Sequence, residues 1–312
     1  MKAAQLREYG GESAIQLVSD EPKPKAAEVE VLVEVHAAGV NPFDWKVRDG
    51  TYKEFIPLEL PAILGGDLAG TVAEIGDGVT SFEVGQEVYG MANAVGGHGS
   101  FAEFAPVKAE QLATKPQKTD WLTAAALPLA AVSAYQALVD HMELSSGQKI
   151  LIHGGGGGIG SLAIQIAHHI GASVTATAAA KDIDFVKSLG AEQVIDYQSE
   201  NFADIIKDYD AVFDTVGGET NAKSYTVLKP NGVLVSMVEQ VDEALVQKYS
   251  VKYIHQSSKA TPERLNKIAE LVDSDALKVH VDKVFNLDQA GAALEYLKTG
   301  HPEGKVVIQV KD

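Results

Sequence analysis

The stretch Ile150–Ala172, ILIHGGGGGIGSLAIQIAHHIGA, constrains this chain more than any other. Five consecutive glycines, Gly154–Gly158, have the composition of a slack linker, and only their flanks separate that reading from a ligand-binding turn. Lys149–His153 in front of them is a short apolar run of strand type. Behind them Ile159, Leu162, Ala163, Ile166, Ala167 and Ile170 fall at i, i+3, i+4, i+7, i+8 and i+11, one face of a helix of about three turns. A flexible spacer has no reason to feed directly into so regular a helix. The pattern G-x-G-x-x-G fits one register only, Gly155, Gly157 and Gly160. That register meets the demands of a dinucleotide corner: a tight turn, close backbone approach to a pyrophosphate, and close packing of helix on strand. The free N–H groups and positive dipole end of the helix would then face the phosphates.

Past Trp121 strand and helix patterns alternate. WLTAAALPLAAVSAYQALVDH reads as helical segments interrupted at Pro128. Strands are expected at Lys149–His153, Ser173–Ala178, Gln193–Tyr197, Ala211–Val216 and Gly232–Met237, with helical stretches such as Ile183–Leu189 between them. Such βαβ units imply a parallel sheet covered on both faces. An NAD-binding unit carries an Asp or Glu near the end of its second strand to bond the ribose 2′-hydroxyl. Val174–Ala180, VTATAAA, has no acid there, near Thr177, and Lys181 follows. A missing carboxylate and an added cation favour a 2′-phosphate, hence NADPH. Asp182 dilutes that cation, and Lys181 equally suits a solvated first turn.

The first third is β-rich. In Glu28–His36 (EVEVLVEVH), Val29, Val31, Val33 and Val35 alternate with Glu30, Leu32 and Glu34, as in a strand with one buried face. Glycine-rich turns at Gly65-Gly66, Gly70, Gly76-Asp77-Gly78, Gly85, Gly90 and Gly96-Gly97 cut the following chain into short strands of a small barrel or sandwich. Near the end, Thr261-Pro262 opens a helix with Leu265, Ile268, Ala269 and Val272 on one face, and Lys305–Val310 is again strand-like. The chain is thus expected to return to its N-terminal domain.

The net charge of −17 opposes a nucleic-acid partner and requires any phosphate site to be locally positive. No apolar run reaches the length of a membrane span, and MKAAQLREYGGES lacks the apolar core of a secretory signal. The chain has no cysteine, so it forms no disulfide and no thiolate metal site. A cytosolic protein without membrane or nucleic-acid partners is expected.

Eight stretches in order resemble the zinc-independent medium-chain dehydrogenases/reductases, close to the quinone oxidoreductases: GVNPFDWKVRDGTY (39–52), LPAILGGDLAGTVAEIGDGV (60–79), ALPLAAVSAYQAL (126–138), IHGGGGGIGSLAIQIA (152–167), GAEQVIDY (190–197), FDTVGGE (213–219), LKPNGVLVS (228–236) and GKVVIQV (304–310). The resemblance implies an α/β architecture: a GroES-like β-rich catalytic domain, 1–122 and 263–312, and a doubly wound Rossmann NADP-binding domain, 123–262, with the active site in the cleft. It implies a homodimer or homotetramer. Relatives usually have alanine at two glycine-turn positions, so Gly155 and Gly156 depart toward extra flexibility. Zinc-dependent relatives place a cysteine and a histidine on the metal where this chain has Asn41 and Gly66, which are not usual zinc ligands. Asp67 and His98 remain, too few for a metal site.

Without a Lewis acid, the chemistry expected is hydride transfer from NADPH to an already electrophilic acceptor, a quinone or an α,β-unsaturated carbonyl. The protein must orient the pair, stabilise negative charge on oxygen and admit a proton. Asn41 is a candidate donor to a carbonyl or to the nicotinamide ribose, and Tyr52 a candidate general acid. Asn41-Pro42 also suits a plain turn and Tyr52 a packed aromatic. Asp44 is expected to pair with Lys46 or Arg48. The resemblance places Ser133 near the nicotinamide, Gly157, Gly158, Ile159 and Gly160 at the pyrophosphate, and Lys181 and Tyr197 beside the 2′-phosphate; Gly155 and Thr177 are further cofactor-binding candidates. Tyr197 without the resemblance reads as a strand-end core residue. Two other readings stay open: a 2-enoyl-thioester reductase, and a non-catalytic NADPH-binding or sensing protein.

Overall fold

The computed structural model describes residues 1–311. The chain forms two compact units: Met1–Leu129 with Ala260–Ser274 and the chain from Val279 onward, and Ala130–Lys259 with Asp275–Lys278.

The second unit is built on six parallel strands: β1 (Lys149–Ile152), β2 (Ser173–Ala178), β3 (Gln193–Asp196), β4 (Tyr209–Asp214), β5 (Leu228–Ser236) and β6 (Lys252–His255), with helix α1 (Gly158–Ile170) after β1. Their order across the sheet is 3-2-1-4-5-6, the doubly wound dinucleotide-binding order, in which the strand order reverses between β1 and β4. Within the apolar stripe of α1, Leu162, Ala163, Ile166 and Ala167 are buried, with Ile159 and Ile170 half-buried at its ends, and Ile164 beside it is buried too. Gly171, with φ of +88°, stops the helix in the left-handed conformation. The amide of Gln165 donates to the Lys278 carbonyl and accepts from its N–H, both at 2.9 Å, which ties the segment Asp275–Lys278 to this unit.

The first unit centres on the strand Glu30–Val40, which pairs antiparallel with Asp67–Ile75, Phe104–Lys108 and Lys305–Gln309. The alternation of valines holds for Val31, Val33 and Val35, all buried, but Leu32 is buried as well and Val29 lies outside the strand, half exposed with φ of +60°. The strand serves two cores, Val31, Val33 and Val35 in one and Ala38 and Val40 in another, so one apolar face is not the whole pattern. Ala3–Leu6, Ile15–Val18 and Ala62–Ile63 make a separate small sheet. Lys305–Gln309 is an internal strand, between Val281–Asn286 and Glu30–Val40.

Candidate active site

The strand-to-helix corner of the second unit is gripped from both neighbouring strands. From β2, the Thr177 carbonyl accepts the Gly155 N–H at 2.8 Å and its hydroxyl accepts the Gly154 N–H at 3.3 Å. From the β4 side, the Thr215 hydroxyl donates to the His153 carbonyl at 2.9 Å. Gly154 takes φ of +72° to make the turn, and Gly157 caps α1 without a side-chain bond. Three glycines have distinct steric roles. A Cβ on Gly160 would lie 2.2 Å from the Gly154 carbonyl oxygen, so only glycine fits where helix packs on turn. A Cβ on Gly157 would meet nothing nearer than that oxygen, at 3.5 Å, so the backbone there is open to approach. A Cβ on Gly155 would meet Ala176, Ile164 and Val186 at 3.0–3.3 Å, and one on Gly156 would meet the Asp182 carboxyl at 3.0 Å. A side chain at either position would press on these neighbours, which would have to give by a few tenths of an ångström. Gly158 and Ile159, half-buried, form the first turn with Gly160, and the Ser161 N–H makes the bond back to Gly157. As in any helix, the N–H groups of its first turn, Gly158, Ile159 and Gly160, precede that first bond. These residues fit a pyrophosphate.

His153 is wholly buried, with Nδ1 3.1 Å from the Thr177 hydroxyl and Nε2 3.0 Å from Ser224. Burial pushes its imidazole down to about 4, with Asp214 pulling the other way. It is a neutral strut. Thr177 shapes the corner from beneath. Lys181 and Tyr197 stand exposed at the ends of β2 and β3; Lys181 Nζ lies 3.7 Å from Asp182 Oδ1. Ser133, in the helix Pro128–Tyr135, is buried with its hydroxyl 2.6 Å from that of Ser258 and its carbonyl accepting from Gln256 Nε2 at 2.9 Å.

In the first unit Asn41 opens the helix Pro42–Arg48 and belongs to a buried polar quartet with Asp44, Asp67 and Lys305. Asn41 Nδ2 donates to Asp67 Oδ2 at 2.9 Å, and the Lys305 ammonium donates to Asn41 Oδ1 at 2.5 Å and lies 3.6 Å from Asp67 Oδ2. Asp67 Oδ1 accepts from the Leu129 N–H at 2.9 Å. Both ends of the Asn41 amide are engaged, and what it can still offer a ligand is the second N–H on Nδ2. Burial pushes Asp67 up and Lys305 down, and their mutual attraction opposes both shifts. Asp44 accepts the Asn41 N–H at 2.8 Å as a helix cap, and burial pushes it up to about 7. The expected pairing of Asp44 with Lys46 or Arg48 is replaced by this cap; Arg48 instead reaches Asp49 and Glu295 at 2.8 and 2.9 Å. Tyr52, half-buried, stacks on Phe43 with ring centres 5.5 Å apart. His98 is not brought into the quartet; its backbone bridges Ile63 and Asn93. Among the described residues no group of three or more His, Asp or Glu is placed to hold a metal ion.

Sequence reasoning missed Lys305. Its one signal was a lone charge opening the apolar run VVIQV.

Residues 27–117 match the family described as alcohol dehydrogenase GroES-like domain, and residues 189–308 that described as zinc-binding dehydrogenase. The chain is 38% identical to a 2-methylene-furan-3-one reductase of Solanum lycopersicum, and 37% identical to an NADPH-dependent alkenal/one oxidoreductase, chloroplastic, of Arabidopsis thaliana. Each comparison covers 99% of this chain and 79% of the relative. Among solved structures, the quinone oxidoreductase from Coxiella burnetii superposes with a TM-score of 0.92 at 34% identity, over 100% of this chain and 99% of that one.

Proposed function

The chain belongs to the quinone oxidoreductase-like family of medium-chain dehydrogenases/reductases, and we propose that within it this protein is an NADPH-dependent reductase of quinones or activated alkenes. The observation that carries the reading is the glycine corner: closed to any side chain at Gly160, open at Gly157, and set at the carboxyl end of β1 in a 3-2-1-4-5-6 sheet. Relatives named for NADPH and for alkenal/one reduction support it. Bound there, NADPH would supply a hydride to an acceptor that is electrophilic without a Lewis acid.

The residues divide the remaining work. The N–H groups at Gly158, Ile159 and Gly160, with the dipole of α1, would bind the pyrophosphate. Lys181 and Tyr197 would flank the adenosine 2′-phosphate, with Thr177 shaping that end from beneath, and Ser133 would lie toward the nicotinamide. Asn41, held rigid by Asp67 and Lys305, would present its remaining N–H to the acceptor oxygen or the nicotinamide ribose. The Tyr52 phenol would donate to the oxygen as negative charge develops.

Titrating NADPH by fluorescence and then following its oxidation with a quinone, an enone and a 2-enoyl-thioester tests the reading. Turnover of the first two classes is expected; NADPH binding without turnover of either would sink it. In Tyr52→Phe, kcat should fall by about 10²-fold while NADPH affinity stays at the wild-type value. We extend the reading to a cytosolic homodimer or homotetramer. One of the two outermost strands of the second unit, β6, is a ready edge for association, and light scattering measures the assembly. Localisation of the tagged protein checks the cytosolic reading, since the relative named above is chloroplastic.

A further inference from the structure

Asp182 stands against the glycine corner. The carboxyl oxygen Oδ2 lies 3.0 Å from where a Cβ of Gly156 would be, and Oδ1 lies 3.7 Å from Lys181 Nζ. The Asp182 side chain is 15% exposed and that of Lys181 58% exposed, so the carboxylate is the more fixed partner of the pair. Its backbone N–H bonds to the Ala179 carbonyl at 2.9 Å, which anchors it just past the end of β2. That is the end of the sheet at which a dinucleotide on such a corner places its adenosine ribose. The two adjacent side chains make opposite demands there. An ammonium favours a 2′-phosphate, whereas a carboxylate repels one and accepts a hydrogen bond from an unmodified 2′-hydroxyl.

Resting on the dinucleotide reading above, we infer that Asp182 is a cofactor-specificity residue. Its carboxylate restrains the preference for the 2′-phosphate that Lys181 creates, so that the protein binds NADH as well as NADPH. No acid stands within β2 itself, and Asp182 supplies that function from four residues beyond the strand end at Ala178.

The test is the dissociation constant of NADPH and of NADH, measured by fluorescence on the purified full-length protein and its variants without any acceptor present. In wild type both cofactors bind. Asp182→Asn should tighten NADPH and weaken NADH, raising their ratio by about tenfold, the size of one charge-assisted interaction. Lys181→Gln should move the ratio the other way, and Asp182→Glu, which keeps the charge, should hold it at the wild-type value. A purely structural role for Asp182 would shift both constants by the same factor and leave the ratio unchanged, which overturns the inference while the dinucleotide reading stands. Wild-type protein that binds NADPH but not NADH also overturns it. Failure to bind either cofactor overturns both.

Discussion

Asp44 and His153 are buried groups that titrate in opposite senses. Asp44 keeps its proton up to about 7 in the folded chain, against an ordinary value of 3.8. The stability it contributes is complete below the ordinary value and is lost as pH rises through about 7, because the unfolded chain releases that proton first. His153 stays neutral down to about 4, against an ordinary 6.5. Its contribution is complete above 6.5 and is lost as pH falls toward 4. Between pH 4 and 6.5 the two slopes cancel, each being at most about 1.4 kcal/mol per pH unit. Denaturation across this range should therefore show the stability of Asp44→Asn rising with pH relative to wild type, and that of His153→Gln falling. Parallel curves for all three proteins would mean that neither group is held out of water as described. The shifted titrations of both residues escape sequence reading for one reason. A lone Asp or His carries its ordinary value until burial and partners shift it, and those come from distant parts of the chain.

At the scale of the element, strand, glycine run and helix give a corner whose existence was legible from spacing alone. The 3.6 periodicity of Ile159–Ile170 holds in the helix Gly158–Ile170, while the tight turn falls on Gly154, one residue before the register Gly155, Gly157 and Gly160. Which glycine does what was not legible, since five in a row look alike until the atoms facing each are known. Gly160→Ala forces a Cβ onto the Gly154 carbonyl and should cost about 1–3 kcal/mol, as overpacking does. Gly157→Ala, with room for the methyl, should cost less than about 1 kcal/mol. Gly157→Val should nevertheless weaken NADPH binding, because it fills the open approach. Urea midpoints and NADPH titrations on the three variants separate packing from ligand approach. Equal loss of stability in Gly160→Ala and Gly157→Ala would contradict the steric assignment.

Across the whole molecule, the first unit is assembled from chain segments far apart in sequence, and Lys305 is where they meet. Its ammonium reaches Asn41 and Asp67, more than two hundred residues earlier. Lys305→Met leaves the Asp67 carboxylate buried without its cation and should cost about 3–5 kcal/mol. Adding Asp67→Asn should recover part of that loss, since the uncompensated charge is then gone. Denaturant titration of the two variants measures it, and additive losses would show that the two side chains act independently. The same long-range closure explains why residues were read unevenly. Asn41 stood out through its neighbours in GVNPFDW, whereas Lys305 had no local pattern pointing to it.

What the sequence determined by itself is what periodicity, turn chemistry and local spacing can carry: a strand–glycine–helix corner, alternating parallel-sheet units, a β-rich first third, and a chain that ends in a strand like those it began with. Each rests on residues within about a dozen positions of one another, whose backbone preferences are intrinsic. Tertiary structure alone decided the strand order 3-2-1-4-5-6, the burial of both faces of Glu30–Val40, the quartet around Asn41, and the placing of Asp182 against Gly156. Those depend on which distant segments exclude water from one another. Burial, not residue type, then sets which charge is paired, which proton is kept and which glycine has no substitute.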